Sequence, residues 1–244
     1  MLNNLKPNTS FFRKGSVIIA GAGPGDINKI TLQVYYAIKF SDVIIYDGLV
    51  NKKLLEINKK KAKLIFAGKR FGNKSCTQAE IIEWIKNYTK NNKRILRLKS
   101  GDPSVFGRGS EEISELKRLK IPFKVFSGIT AVQEAMKNLN LNYFQNSGSF
   151  SLVTGHKPVK ETSHKIDFQA MGKYNGIIVI YMGLSQIGKI SRSLIKGGKK
   201  KETSVSIISR ISMKNEKVYK SNLFECSKDK HSFGLKSPAI IIIH

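Results

Sequence analysis

Residues 94–131 read RILRLKSGDPSVFGRGSEEISELKRLKIPFKVFSGITA, and the order of segments inside this stretch decides the fold. RILRLK (94–99) is a strand-length run that ends in the small and turn-forming residues Ser100-Gly101-Asp102-Pro103. In 110–119, Ile113, Leu116 and Leu119 recur at helical spacing, and FKVFS (123–127) is again strand-length and rich in aromatic and β-branched residues. Strands alternating with amphipathic helices imply a mostly parallel sheet covered on both faces.

The same alternation extends outward. Toward the N-terminus it predicts strands at 16–20 (SVIIA), 42–47 (DVIIYD) and 62–67 (AKLIFA). Helices fall between them at 30–40, through Ile30, Val34, Ala37 and Ile38, and at 78–89, through Ile81, Ile82, Trp84 and Ile85. The pattern restarts after about residue 140, with strands at 150–154, 177–182, 204–209 and 239–243. A helix at 185–196 shows Ile187, Ile190 and Leu194 on one face. The polar run KNLNLNYFQNSGS (137–149) has the composition of a connector. The expected organisation is a flexible segment over 1–14, an α/β lobe over 15–137, a linker over 138–149 and a second α/β lobe over 150–244, each lobe built on a mostly parallel sheet.

Composition narrows the class. With 41% hydrophobic residues in 244, the chain has material for a sizeable core. No apolar run reaches the length of a membrane span, and MLNNLKPNTSFFRKGS lacks the continuous apolar segment of a secretion signal, so a cytoplasmic protein is expected. Cys76 and Cys226 stand far apart without metal-ligand spacing, and no metal is expected. Lys and Arg outnumber Asp and Glu by 43 to 17, a net charge of +26 that attracts polyanions. No zinc finger, basic helix with heptads or aromatic RNA-binding signature accompanies the lysine clusters at 59–61 and 199–201, so nucleic acid is disfavoured as a partner and an acidic small molecule fits the charge equally well.

The chemistry gathers at strand ends. The first strand ends in Gly21-Ala22-Gly23-Pro24-Gly25-Asp26, glycines that let backbone turn tightly and approach a ligand. Asp26 occupies the third glycine position of a dinucleotide fingerprint, and a phosphate-binding loop would need Gly-Lys-Ser/Thr, so neither class is indicated. The second strand ends in Tyr46-Asp47 and the third in Gly68-Lys69-Arg70. Neighbouring ends of a parallel sheet line one crevice, where Asp47 and Lys69 serve either as base and acid or as a structural ion pair. The fourth end, Ser100 to Gly109, and the fifth, Ser127-Gly128-Ile129-Thr130-Ala131, are also small or polar, as an extended ligand cleft requires.

In this order and spacing the motifs resemble those of the tetrapyrrole methyltransferase superfamily, and within it the uroporphyrinogen-III C-methyltransferases. The resemblance rests on Gly21 to Asp26, Tyr46-Asp47-Gly48-Leu49-Val50, Gly68-Lys69-Arg70 with Gln78, and Arg97-Leu98-Lys99 through Gly101-Asp102-Pro103 to Gly107-Arg108-Gly109 with Glu111 and Glu112. It continues through Pro122-Phe123, Val153-Thr154-Gly155-His156 and Tyr181-Met182-Gly183-Leu184. It implies two α/β lobes with the active site in the cleft between them, a homodimer, and methylation of uroporphyrinogen III at two carbons to give precorrin-2. By the same resemblance Pro24, Ser100, Gly101, Asp102, Val105, Thr130, Ala131, Met182 and Ile211 hold S-adenosylmethionine. Asp47 is the proton acceptor and Lys69 the donor, while Arg70, Arg108 and His156 meet the substrate, with Arg97 adding to a basic cleft. Methylation of a later precorrin or of ribosomal RNA, and a relative that binds the donor without turnover, are the alternatives.

Several positions depart from the family pattern. Ser100-Gly101 stands where two glycines are usual, Lys74 where a histidine is, and Asn142-Tyr143-Phe144 where a Thr-His-Arg run is. Phenylalanine cannot supply the bidentate donor that an arginine offers to a carboxylate. Ile211-Ser212 replaces a Gly-Thr pair, and Glu216-Lys217 a Gln-Arg.

Overall fold

Alternating side-chain faces explain the first sheet. In a computed structural model of the chain, which describes residues 9–59, 61–68, 76–141, 148–155, 166–228 and 232–244, the strands are β1 (Ser16–Gly21), β2 (Val43–Tyr46), β3 (Lys63–Phe66), β4 (Arg94–Lys99) and β5 (Phe123–Phe126). They pair in the order β3-β2-β4-β1-β5, all parallel. Ile18, Ala20, Ile44, Leu96 and Leu98 pack on one face beneath helix α1 (Leu32–Phe40). Val17, Ile19, Val43, Ile45 and Ile95 pack on the other beneath α2 (Gln78–Lys90) and α3 (Gly109–Arg118). With a period of two, Arg97 and Lys99 fall on the same face as Ile95, so two cations enter a helix-covered layer.

Local signals start the helices where the apolar spacing begins. Thr31 caps α1 by accepting from Val34 N, and Thr77 opens α2 with a reciprocal capping box to Glu80. The connection from β1 travels past β4 to β2, whereas that from β4 travels past β1 to β5. The two chains therefore diverge at the carboxyl ends of β1 and β4, the switch point at which open α/β sheets form a crevice.

The chain divides between Thr130 and Ala131 into two compact units. Helix α4 (Ala131–Asn138), inside the expected first lobe, buries Val132, Ala135 and Met136 with Ile177, Val179, Ile208 and Ile240 of the second sheet. The second sheet comprises β6 (Phe150–Thr154), β7 (Ile177–Tyr181), β8 (Ser204–Ser209), β9 (Lys217–Asn222) and β10 (Ala239–Ile243), in the order β6-β7-β10-β8-β9. Helices α5 (Ile187–Lys196) and α6 (Leu223–Lys228) complete the described unit.

Parallel pairing, expected in both sheets, holds throughout the first and for β6 with β7. The other pairings of the second sheet, β7 with β10, β10 with β8 and β8 with β9, are antiparallel. Residues 210–216 between β8 and β9 are too few for a crossover, so the chain returns beside itself. Lys63, Lys124, Lys217 and Lys220 are exposed on the outer strands β3, β5 and β9.

Candidate active site

At the switch point three backbones touch. Ala22 N donates to Lys99 O, and Gly23 and Gly101 exchange N–H···O bonds of 3.2 and 2.8 Å. A Cβ on Gly21 would lie 2.3 Å from Gly101 O and 2.7 Å from Gly128 N, and one on Gly128 would lie 2.2 Å from Gly101 O. Side chains are excluded there, which brings the ends of β1, β4 and β5 together. Gly101 adopts φ +66°, and the space its side chain would fill is empty to 4 Å, so the backbone faces open room on that side.

Asp102 locks this junction. Its Oδ2 accepts from Gly128 N at 2.9 Å and its Oδ1 from Ser104 N at 2.8 Å. Pro24 is buried, while Ser100, Gly101, Asp102, Val105 and Thr130 are half-buried around the same strand ends. Asn51, which the sequence motifs did not single out, donates from Nδ2 to Gly25 O at 2.8 Å and ties the loop after β2 to the glycine loop.

Asp47 follows β2, one strand over from β4. Its Oδ1 accepts from Arg97 Nη2 at 2.5 Å, and its Oδ2 lies 3.7 Å from Lys99 Nζ. Glu112 of α3 holds the same two cations from the other side, with Nε of Arg97 at 3.2 Å and Nζ of Lys99 at 3.0 Å. The side chains of Arg97, Glu112 and Lys99 are 2%, 0% and 6% exposed, whereas that of Asp47 is 28% exposed. Burial alone would pull the Arg97 guanidinium down; the charges of Asp47 and Glu112 outweigh this and hold it above its ordinary value. Arg97 therefore does not face the solvent as part of a basic cleft. It lies under α3 because residues 95, 97 and 99 share one face, and it anchors Asp47.

The remaining predicted residues are distributed as follows. Arg108 is exposed and forms a bidentate contact with Glu111, an i,i+3 pair at the start of α3. Gln78, at the first position of α2, has a buried Oε1 without a partner among the described residues. Lys69, Arg70 and His156 lie outside the described residues, as do Lys74 and Asn142 to Phe144.

In the second unit, Ala131 and Ile211 share the core layer that contains α4. Tyr181 Oη accepts from Val132 N at 3.0 Å, placing the end of β7 beside the start of that helix. Met182, the next residue, is exposed at φ +53°. Arg210 and Ser212 flank buried Ile211 at φ +55° and +59°. Glu216 secures this loop by accepting from Ser212 N at 2.6 Å and from Asn138 Nδ2 at 2.9 Å. The loop that contains Ile211 is thus stapled to the far end of α4. Among the described residues no cluster of His, Cys, Asp and Glu is arranged to hold a metal, and no helix is long and apolar enough to cross a membrane.

A parallel sheet with glycine backbones meeting at its switch point, beside an anchored strand-end carboxylate, defines a ligand-binding α/β enzyme. The sequence profile of the tetrapyrrole (corrin/porphyrin) methylases matches residues 16–226, and the chain belongs to that family. It is 39% identical over 234 residues to the uroporphyrinogen-III C-methyltransferase of Methanocaldococcus jannaschii, covering 94% of this chain and 95% of that protein. It is 34% identical over 233 residues to the siroheme synthase of Zymomonas mobilis, covering 95% of this chain and 49% of that protein, so it spans about half the length of that relative. The crystal structure of Thermus thermophilus uroporphyrin-III C-methyl transferase complexed with S-adenyl homocysteine superposes with a TM-score of 0.79 at 28% identity, over 93% of this chain and 96% of the other.

Proposed function

We infer that the chain transfers methyl groups from S-adenosylmethionine to two pyrrole carbons of uroporphyrinogen III, giving precorrin-2 for siroheme or cobalamin synthesis. The observation that carries this reading is the meeting of the Gly21, Gly101 and Gly128 backbones one strand away from Asp47. The empty space on the side-chain face of Gly101 fits a flat or extended ligand that needs close backbone approach. We assign Pro24, Ser100, Gly101, Asp102, Val105, Thr130, Ala131, Met182 and Ile211 to that donor. When bound, it would supply an electrophilic methyl carbon on a sulfonium and depart as the neutral thioether as the carbon–sulfur bond breaks.

The protein's own part is alignment and proton handling. Holding an electron-rich pyrrole carbon in line with the methyl group and excluding water lowers the barrier without a covalent nucleophile. After the carbon is methylated, positive charge on the pyrrole system is discharged by loss of a proton from carbon. Asp47, aimed by Arg97, accepts that proton; Lys69 is the complementary donor. Arg70, Arg108 and His156 receive the substrate's carboxylates. The enzyme works in the cytoplasm as a homodimer, which sedimentation velocity checks directly.

The test is anaerobic incubation of the full chain with S-adenosylmethionine and uroporphyrinogen III, followed by mass and absorbance analysis. A dimethylated product is expected, and Asp47→Asn lowers its rate by about 100- to 10,000-fold with donor affinity retained. Methylation of later precorrins alone, or donor binding without any transfer, overturns the reading.

A further inference from the structure

The charges around Asp47 come in balance. Arg97 and Lys99 from β4 supply two positive charges, and Asp47 with Glu112 from α3 supply two negative ones. Three of the four side chains are almost wholly removed from water, and only Asp47 reaches it. Arg108, which precedes α3, acts on Glu112 from further away and is itself paired with Glu111. Two buried cations facing Asp47 alone would leave one positive charge uncompensated beneath the site, away from water. Glu112 balances that charge. Both its oxygens receive hydrogen bonds from Arg97, and Oε1 also receives one from Lys99.

We propose that Glu112 is a positioning residue for methyl transfer: its carboxylate, acting through Arg97 and Lys99, sets both the aim of Asp47 and the readiness with which Asp47 takes up a proton. This inference rests on Asp47 being the proton acceptor. Glu112 is fully buried; its helix is packed on the face of the sheet where Arg97 and Lys99 emerge, and through them it reaches the carboxyl edge. A neutral quartet becomes singly positive when Asp47 is protonated. Without the Glu112 charge it would become doubly positive in a buried setting, where each uncompensated charge is costly.

The experiment is the pH profile of kcat/KM for uroporphyrinogen III methylation in Glu112→Gln, Lys99→Met and the double variant, with donor affinity and thermal unfolding measured alongside. The signs are opposite. Glu112→Gln leaves an excess positive charge, so the acidic limb moves to lower pH by about one unit and the plateau falls roughly tenfold as the base weakens. Lys99→Met leaves an excess negative charge and moves the limb to higher pH. Combining them restores neutrality and returns the limb toward the parent position, a recovery that a purely structural role does not produce. If Glu112→Gln fails to fold, the Lys99→Met shift and its reversal in the double variant carry the test. An unmoved limb in the folded variants, with Asp47→Asn still inactive, overturns the role of Glu112 alone. Full activity in Asp47→Asn overturns the assignment of the base beneath it.

Discussion

The two sheets have the same number of strands but treat polar side chains differently. Where α3 covers the first sheet, an arginine and a lysine of β4 and a glutamate of α3 are buried in mutual contact. The second sheet buries Ser206 and Ser209, and its helices bury Ser191 and Glu134. Ser206 meets His244, Ser209 donates to Lys236 O, and Glu134 pairs with exposed Lys137 near the surface. A well-packed apolar layer serves stability at least as well as a buried ion cluster, since desolvation offsets most of the Coulomb gain. The charged layer of the first unit therefore reports a demand made by the site, while the apolar layer of the second reports packing.

Substitutions can break or sharpen that contrast. Arg97→Met leaves Glu112 buried with one cation and removes the hydrogen bond that aims Asp47. It is expected to cost about 3–5 kcal/mol in chemical denaturation and to abolish methyl transfer in the molecules that still fold. Leu194→Ala, in the second core, is expected to cost about 2–5 kcal/mol through its cavity, yet to leave activity per folded molecule near the parent level. Equal specific activity in both variants would erase the distinction between the layers.

A smaller effect belongs to the surface of the first unit. Thr77→Ala removes the cap of α2 and is expected to cost about 1 kcal/mol, read from denaturant midpoints. The Thr77 backbone N–H, then its hydroxyl, hold the Glu80 carboxylate below its ordinary value of 4.5. A carboxylate lowered on folding stabilises above that value and loses its contribution as pH falls through the folded one. The gap between parent and Thr77→Ala should accordingly narrow in acid.

Much of the first unit was legible because β1 and β2 are apolar on both faces and each inner strand runs into a small or turn-forming residue within two positions of its end. KVYKSN, by contrast, lies on an outer edge with Lys217 and Val218 exposed, and a strand with little to bury leaves little pattern. Helix α4 was hidden because AVQEAMKN runs directly into asparagine-rich sequence, and its apolar partners lie some 40 to 110 residues further along the chain. Asp47 could be singled out as a carboxylate ending a strand. Glu112 could not be joined to it, because spacing places Arg97 and Lys99 on one face without saying that α3 covers that face. The contact of Glu216 with Asn138, across 78 residues, had no local signal of any kind.

The lysines along the outer strands bear on life before folding is complete. A nascent or partly opened chain presents unpaired β3, β5 and β9, each a template for stacking with another copy. Lys63, Lys124, Lys217 and Lys220 place like charge along those templates, and two copies brought into register repel. Part of the +26 that looks like a taste for anions is, on these edges, a colloidal safeguard, which high salt would weaken by screening.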